Sequence, residues 1–366
     1  MTTPTMSRQR HAVFHRLRVA EVERLTVDSV AITFDVPDEL RDAYRFTQGQ
    51  HVAIRCDLGG RGVRRNYSIC SPASSGRLRI GVKRLPGGAF SGYACERLEP
   101  GDELEVMTPA GRFFTPLDPA NAKHYVAIAA GSGITPIMSL LASTLEAEPQ
   151  SQVTLLYGNR TTSSIMFMEE LSDLKDRYPA RLQMLNFLSA EPQESDVLSG
   201  RIDRAKLARL FDTVLPPGDV DEWFLCGPFE MVQDIRTALA DSGVDGGRVH
   251  TELFHVGALP PRATATDEPA AAAGRSAVTV KLDGRATTFG LAAHDEPILD
   301  AVLRVRPDAP YACKGGVCGT CRAKLIEGTV DMERTYALEQ DDLSRGYVLT
   351  CQSHPTSDTV VLDYDG

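Results

Sequence analysis

The sequence predicts a multi-domain chain: an all-β barrel, then an α/β domain built on a parallel sheet, then a small α+β unit. Three observations carry this expectation. Short β-type runs broken by Gly and Pro fill the N-terminal part. Apolar strand-like runs alternating with helical stretches follow. Past a segment of Ala, Pro and Thr the pattern changes again, and four cysteines gather. At 366 residues the chain also exceeds what one typical core supports.

The barrel is expected over residues 10–117, from the runs "HRLRVAEVERLT", "SVAITFDVP", "HVAIRCDL", "NYSICSP", "LRIGVKRL" and "ELEVMTP". Turn residues in "GRFFTPLDPANAKHY" mark its end. Over 118–256, "HYVAIAA", "QVTLLYGN", "LQMLNFLS" and "EWFLCGP" read as strands, separated by helical stretches such as "TPIMSLLASTLEAE" and "PFEMVQDIRTALADSG". That alternation predicts a parallel sheet covered by helices. Residues 257–275 lack either periodicity and read as an extended linker. In 276–366, "AVTVKLDGRATTFG" reads as a hairpin turning at Asp283–Gly284, and "EPILDAVLRV" as a short amphipathic helix with Pro297 in its first turn. "CRAKLIEGTVDM", "YVLTCQS" and "TVVLDYD" complete this unit.

Composition narrows the class. Apolar content of 42% and charged content of 24% are those of an ordinary globular protein, and a formal charge of −10 argues against nucleic acid as a partner. The N-terminal stretch shows no apolar signal core. The most apolar run, "YVAIAAGSGITPIMSLLA", is broken by Gly131, Gly133 and Pro136, so no membrane span is expected. Eight cysteines in a chain of this length do not suit a disulfide framework, and a cytoplasmic location is expected.

The stretch "YACKGGVCGTCRAKL" packs three cysteines within nine residues. The order is Cys313-x4-Cys318-x2-Cys321, with Cys351 after 29 intervening residues, which is the plant-type [2Fe–2S] spacing. Gly315, Gly316 and Gly319 let so small a loop wrap around sulfide-bridged irons. Structural zinc usually pairs two short knuckles, and the second is missing here. Together with "GYVLTCQSHP", the loop resembles the C-terminal ferredoxin domain of multicomponent oxygenase reductases, which implies a β-grasp fold for 276–366.

"HYVAIAAGSGITPIMSLL" is a strand, a Gly-rich turn and a helix. Gly131 and Gly133 permit a tight turn and close approach of a pyrophosphate, and the helix start offers free N–H groups. Pro136 replaces the third glycine of the dinucleotide fingerprint, and proline suits a first helical turn; Thr135 lies beside it. The next strand ends in Arg160, where an NAD site often places an acid. An arginine beside Thr161, Thr162, Ser163 and Ser164 can instead hold a 2′-phosphate, or be a surface residue in a polar loop. NADPH is the expected donor, with NADH as the alternative. "FLCGP" ends a later strand, and its Cys226, Gly227 and Pro228 resemble the turn that lies beside the nicotinamide in the ferredoxin–NADP reductase superfamily.

In the barrel, "RRNYSICSP" holds Arg65, Tyr67 and Ser68. An arginine can pair with a flavin pyrophosphate, a tyrosine ring can lie on the isoalloxazine, and a small hydroxyl can bond near N5. The set resembles the flavin signature of the same superfamily. The resemblance also brings Val82, Lys83, Gly87, Gly88 and Ser91 of "VKRLPGGAFS" to the flavin diphosphate, and Glu252 and Phe254 of "HTELFH" near the flavin. Taken singly, Tyr67 can be barrel core, Arg65 a surface pair and the glycines a hairpin; together and in family order they imply FAD. Glu252 and His255 form one E-x-x-H pair, whereas a di-iron bundle needs two such pairs and further carboxylates, so no oxygen-activating site is expected in this chain.

Flavin, nicotinamide and cluster modules in that order define an electron path from NADPH to FAD to [2Fe–2S] to a partner. Ser68, Cys226 and Glu252 are the candidates around the hydride step, and Cys313, Cys318, Cys321 and Cys351 hold the cluster. "RVRPDAPYACKGGVCGTCRAKL" and "YALEQDDLSRGYVLTCQSHP", with the reductase motifs, most resemble the reductase subunits of phenylacetyl-CoA epoxidase complexes. That resemblance implies a separate di-iron oxygenase component as electron acceptor. The reductases of Rieske-type oxygenases, such as ketosteroid hydroxylases, share the modules and their order. A redox sensor that binds flavin without turnover would have no need for "RNYS", "GSGITP" and "LCGP" together.

Overall fold

The structure is a computed structural model that describes residues 13–60, 62–254, 275–292 and 296–366. The predicted linker up to residue 274, His255 and the predicted barrel residues 10–12 lie outside the described residues. Two compact units emerge, Phe14–His255 and one containing Val256–Gly366.

All six N-terminal runs form strands: β1 (Phe14–Thr26), β2 (Ser29–Asp35), β3 (His51–Asp57), β4 (Gly62–Ser68), β5 (Leu78–Lys83) and β6 (Glu103–Met107). They pair antiparallel in the order β4-β3-β6-β1-β2-β5, and a bridge from Ile69 to Ile80 joins the two outer strands and closes the barrel. Closure removes the exposed edges that an open sheet would leave. Val19, Ile32, Ile54, Ile80 and Val106 are fully buried in its core, and Phe90 from helix α1 (Ala89–Glu96) joins them.

The same unit continues as β7 (His124–Ala130), α2 (Ile134–Ala147), β8 (Gln152–Asn159), α3 (Met168–Arg177), β9 (Leu182–Leu188), α4 (Arg204–Thr213), β10 (Glu222–Cys226), α5 (Phe229–Asp241) and β11 (Val249–Glu252). The strands are parallel in the order β11-β10-β7-β8-β9. The chain winds outward from β7 through β8 and β9, then returns to place β10 on the other side of β7. Ligand crevices of open α/β sheets lie at such a reversal, beyond the carboxyl ends of the strands.

Barrel and sheet are locked together. Arg79 of β5 forks onto both oxygens of Glu170 in α3 at 2.9 Å and reaches Glu23 of β1 at 2.6 Å. Beside it, a Cβ on Gly81 would come within 2.5 Å of the Thr135 methyl, so barrel wall and α2 meet with no room for a side chain.

The C-terminal unit contains β12 (Arg275–Leu282), β13 (Arg285–Ala292), α6 (Ile298–Val305), β14 (Arg322–Glu327), β15 (Val330–Met332), α7 (Gln340–Ser344), β16 (Tyr347–Leu349), β17 (Ser353–Pro355) and β18 (Thr359–Asp363). A mixed sheet ordered β13-β12-β18-β14-β16 grips α6 through Ile298, Ala301 and Val302, the β-grasp arrangement. The first hairpin turns at Asp283 and Gly284, both with positive φ, as a two-residue turn of primed type requires. Pro297 stands one position before α6, not inside its first turn, because its ψ of 145° is extended. Among the described residues no helix is long and apolar enough to cross a membrane.

One buried carboxylate anchors the sheet. Glu148, just past α2, is fully buried and accepts from Tyr125 Oη (2.9 Å), Ser151 Oγ (2.7 Å), Asn121 Nδ2 (2.7 Å) and the Asp118 N–H (3.0 Å). Glu148→Leu keeps the volume and leaves four donors unmatched. It is expected to lower unfolding free energy by about 3 kcal/mol in urea titrations followed by Trp223 fluorescence, and a loss under about 1 kcal/mol would show that the network contributes little.

Candidate functional site

His51 and Ser68 are direct cross-strand partners in β3 and β4, so their side chains leave the same face of the barrel. Glu252 ends β11 beside Cys226, which ends β10. The two pairs meet. Ser68 Oγ donates to Glu252 Oε2 at 2.8 Å, and His51 Nδ1 lies 3.7 Å from Glu252 Oε1. Ser68, His51 and Cys226 are all at most 3% exposed. Burial, reinforced by the Glu252 charge, pushes the Cys226 thiol well above its ordinary value and keeps it neutral. His51 is absent from the residues expected from the sequence: a lone histidine in a strand belongs to no motif, and only the register with Ser68 reveals it.

The two turns expected at the nucleotide also come together. A Cβ on Gly133 would sit 2.1 Å from the Cys226 carbonyl oxygen, so the "GSGITP" and "LCGP" backbones abut and only glycine fits. Gly131 takes a φ of +53°, and its carbonyl accepts from Tyr157 Oη at 3.0 Å. Thr135 and Pro136 are buried at the start of α2, with Thr135 Oγ1 donating to the Ser132 carbonyl. Gly227 packs against Ala130, and Pro228 immediately precedes α5. Arg160 is exposed just past β8, and its side chain makes no ion pair among the described residues.

The flavin candidates divide between the faces of β4. Alternation puts Ser68 and Asn66 on one side and Tyr67 and Arg65 on the other. The Tyr67 ring leans on Phe90 at 5.3 Å between centroids, and exposed Arg65 donates to the Arg64 carbonyl at 2.7 Å. The Val82 side chain is core, and Lys83 Nζ lies 3.6 Å from Asp28. Gly87 takes a φ of +71°, and Gly88 caps α1. Ser91 is buried and holds this turn, accepting from the Leu85 N–H at 3.1 Å. Phe254 is 39% exposed. His51 Nε2 and both amide atoms of Asn66 are buried without a partner among the described residues, so a ring rich in nitrogen and oxygen fits here.

In the C-terminal unit the four thiols meet two by two. The neighbouring Cys318 thiol, the Gly315 N–H at 3.3 Å from the sulfur and the N–H groups of Val317 and Cys318 together hold the Cys313 thiol down at about 5. The neighbouring Cys321 thiol likewise holds Cys351 down, with the Gln352 amide 3.6 Å from its sulfur. Cys318 and Cys321 are pushed up by those neighbours and by burial. No three His, Cys, Asp or Glu side chains among the described residues converge as a single-ion site requires. Two pairs suit two irons. Gly316 and Gly319 have positive φ, and a Cβ on Gly316 would press on Gln352 and Arg334 at 3.0–3.2 Å, so the loop is as tight as its glycines suggest.

Comparison with known proteins adds family context. The family models described as oxidoreductase FAD-binding domain, oxidoreductase NAD-binding domain and 2Fe-2S iron-sulfur cluster binding domain match residues 16–114, 127–237 and 280–356. The chain is 47% identical to a subunit of the 1,2-phenylacetyl-CoA epoxidase of Escherichia coli (strain K12), over 96% of this chain and 98% of that one. It is 34% identical to the ferredoxin reductase component of 3-ketosteroid-9-alpha-monooxygenase of Rhodococcus rhodochrous, over 95% and 96%. Among solved structures it resembles phthalate dioxygenase reductase, described as a modular structure for electron transfer from pyridine nucleotides to [2Fe–2S], with 26% identity, a TM-score of 0.58 and coverage of 96% and 98%. The chain thus belongs to the ferredoxin–NADP reductase superfamily, among the oxygenase reductases that bear a C-terminal [2Fe–2S] domain.

Proposed function

We propose that this reductase takes electrons from NADPH and delivers them to the oxygenase component of a phenylacetyl-CoA epoxidase, a di-iron protein, in the cytoplasm. The observation that carries the redox half is the convergence of Ser68, Glu252 and Cys226 where the Gly133 and Cys226 backbones touch. Ser68 and Glu252 would border the flavin, and the Cys226 turn would border the nicotinamide. The partner half is supported by end-to-end identity with the epoxidase protein of Escherichia coli. We assign 10–117 to FAD, 118–256 to the nucleotide, 257–275 to a linker and 276–366 to the cluster.

When bound, the flavin accepts an electron pair as hydride and returns electrons singly, which matches a one-electron cluster to a two-electron donor. Gly131, Gly133, Thr135 and Pro136 shape the backbone that would cradle the dinucleotide pyrophosphate, and Arg160 would face its 2′-phosphate. Cys226, Gly227 and Pro228 form the wall beside the nicotinamide. Kept neutral by burial, Cys226 adds bulk without charge and excludes water. Tyr67 and Phe254 would orient the flavin ring, while Arg65, Val82, Lys83, Gly87, Gly88 and Ser91 would define the side that takes its diphosphate. Ser68 already donates to Glu252, so a proton at Ser68 Oγ has an acceptor 2.8 Å away. Cys313 with Cys318, and Cys321 with Cys351, would hold the irons of the cluster.

Three outcomes are expected. With purified epoxidase oxygenase subunits, the reductase supports NADPH-dependent epoxidation of phenylacetyl-CoA but not hydroxylation of a steroid by a ketosteroid oxygenase; the reverse pattern would move it to the Rieske-type partner. In anaerobic titration Cys318→Ser lacks the visible absorption of the cluster, yet its flavin still bleaches with NADPH. Glu252→Gln, which loosens the acceptor that holds Ser68 in place, slows flavin reduction in stopped flow by up to ~10²-fold, the size of a misplaced reacting pair, with NADPH affinity nearly unchanged; an unaltered rate removes Glu252 from the hydride step.

A further inference from the structure

Thr162 gives both of its donors to one oxygen. Its N–H reaches Glu191 Oε2 at 3.0 Å and its hydroxyl reaches the same atom at 2.7 Å. Thr162 lies just past the carboxyl end of β8 and Glu191 just past that of β9, and these adjacent strands run in register to Asn159 and Leu188. The register continues outward, with the Ala190 N–H on the Arg160 carbonyl at 2.8 Å. Both loops therefore leave the sheet side by side at its ligand-binding end. Arg160 stands two residues before Thr162, exposed and without an ion pair among the described residues. The two Thr162 bonds also hold the Glu191 carboxyl below the usual carboxylate range, so it is ionised near neutrality.

An internal anion thus sits on the donors that, with Arg160, would otherwise face an anionic oxygen of the ligand. We propose that Glu191 is a specificity-determining residue that competes with the nucleotide 2′-phosphate for Thr162 and thereby narrows the preference for NADPH over NADH. The inference rests on the reading that Arg160 faces the 2′-phosphate. A phosphorylated ribose has to displace the carboxylate from Thr162 and then tolerate it as a like-charged neighbour. An unphosphorylated ribose leaves Glu191 in place, and its hydroxyl can donate to a carboxylate that has lone pairs to spare. Arg160 and Glu191 then act in opposite directions on one phosphate.

The test is calorimetric binding of adenosine 2′,5′-bisphosphate and of AMP to the flavin- and cluster-loaded full chain, for the parent, Glu191→Gln and Arg160→Gln. Glu191→Gln should bind the bisphosphate about tenfold tighter and AMP within about twofold of the parent, with the NADPH to NADH ratio of kcat/KM rising by a similar factor through KM. Arg160→Gln should weaken the bisphosphate alone. If Arg160→Gln weakens the bisphosphate while Glu191→Gln leaves it unchanged or weakens it too, the role of Glu191 is overturned and the phosphate site stands. If neither substitution alters bisphosphate affinity, the placement of the 2′-phosphate is itself wrong and the competition falls with it.

Discussion

One carboxylate joins the halves of the reductase unit. Glu252 is the last residue of the edge strand of the parallel sheet, yet its bonding partner, Ser68, ends a barrel strand 184 residues earlier. For that contact to form, the barrel must be closed, the sheet must run outward and back, and the two must dock along β5 and α2. Each condition has its own device: the Ile69–Ile80 bridge, the reversal between β7 and β10, and the Arg79 fork with Gly81 beneath it. The site is a consequence of three packing problems solved together, and for that reason it needs few residues of its own.

The second constraint is steric. Gly133 and Gly227 bring two turns from different βα units to backbone contact, and a Cβ on Gly133 would collide with main-chain atoms that have nowhere to go. The two turns thus form one rigid surface at the switch point of the sheet. Cys226 then occupies a position where its charge would be costly, and burial keeps it a neutral thiol next to an anionic Glu252.

What the sequence disclosed follows from which constraints are local. The cysteine loop and both glycine turns are legible because their chemistry depends on spacing along the chain. The six barrel runs are legible because alternation survives wherever one face is buried. Less visible are β11, four half-buried residues reading "VHTE", and α3, where only Leu171 and Leu174 turn inward from a polar surface. His51 and Glu191 escape altogether. Each matters only through a partner set by strand register, Ser68 for one and Thr162 for the other, and register is a property of the folded sheet. Val82 and Ser91 show the converse: a motif singles them out, and the fold also uses the first in the core and the second to hold its own turn, neither of which spacing reveals.

The thiols carry the same lesson one step further. Spacing alone names four cysteines and leaves their pairing open. Folding brings Cys313 to Cys318 across a glycine-rich loop and carries Cys351 from the far end of the unit to Cys321, where the Thr350 hydroxyl donates to the Cys321 carbonyl at 2.9 Å. In each pair one sulfur is held down by its neighbouring thiol and by N–H groups, while the other is pushed up by that neighbour and by burial. Were these four cysteines to hold a [2Fe–2S] cluster, the N–H groups around Cys313 and Cys351 would help to spread its charge. The glycines of the loop are what allow the backbone to supply those donors.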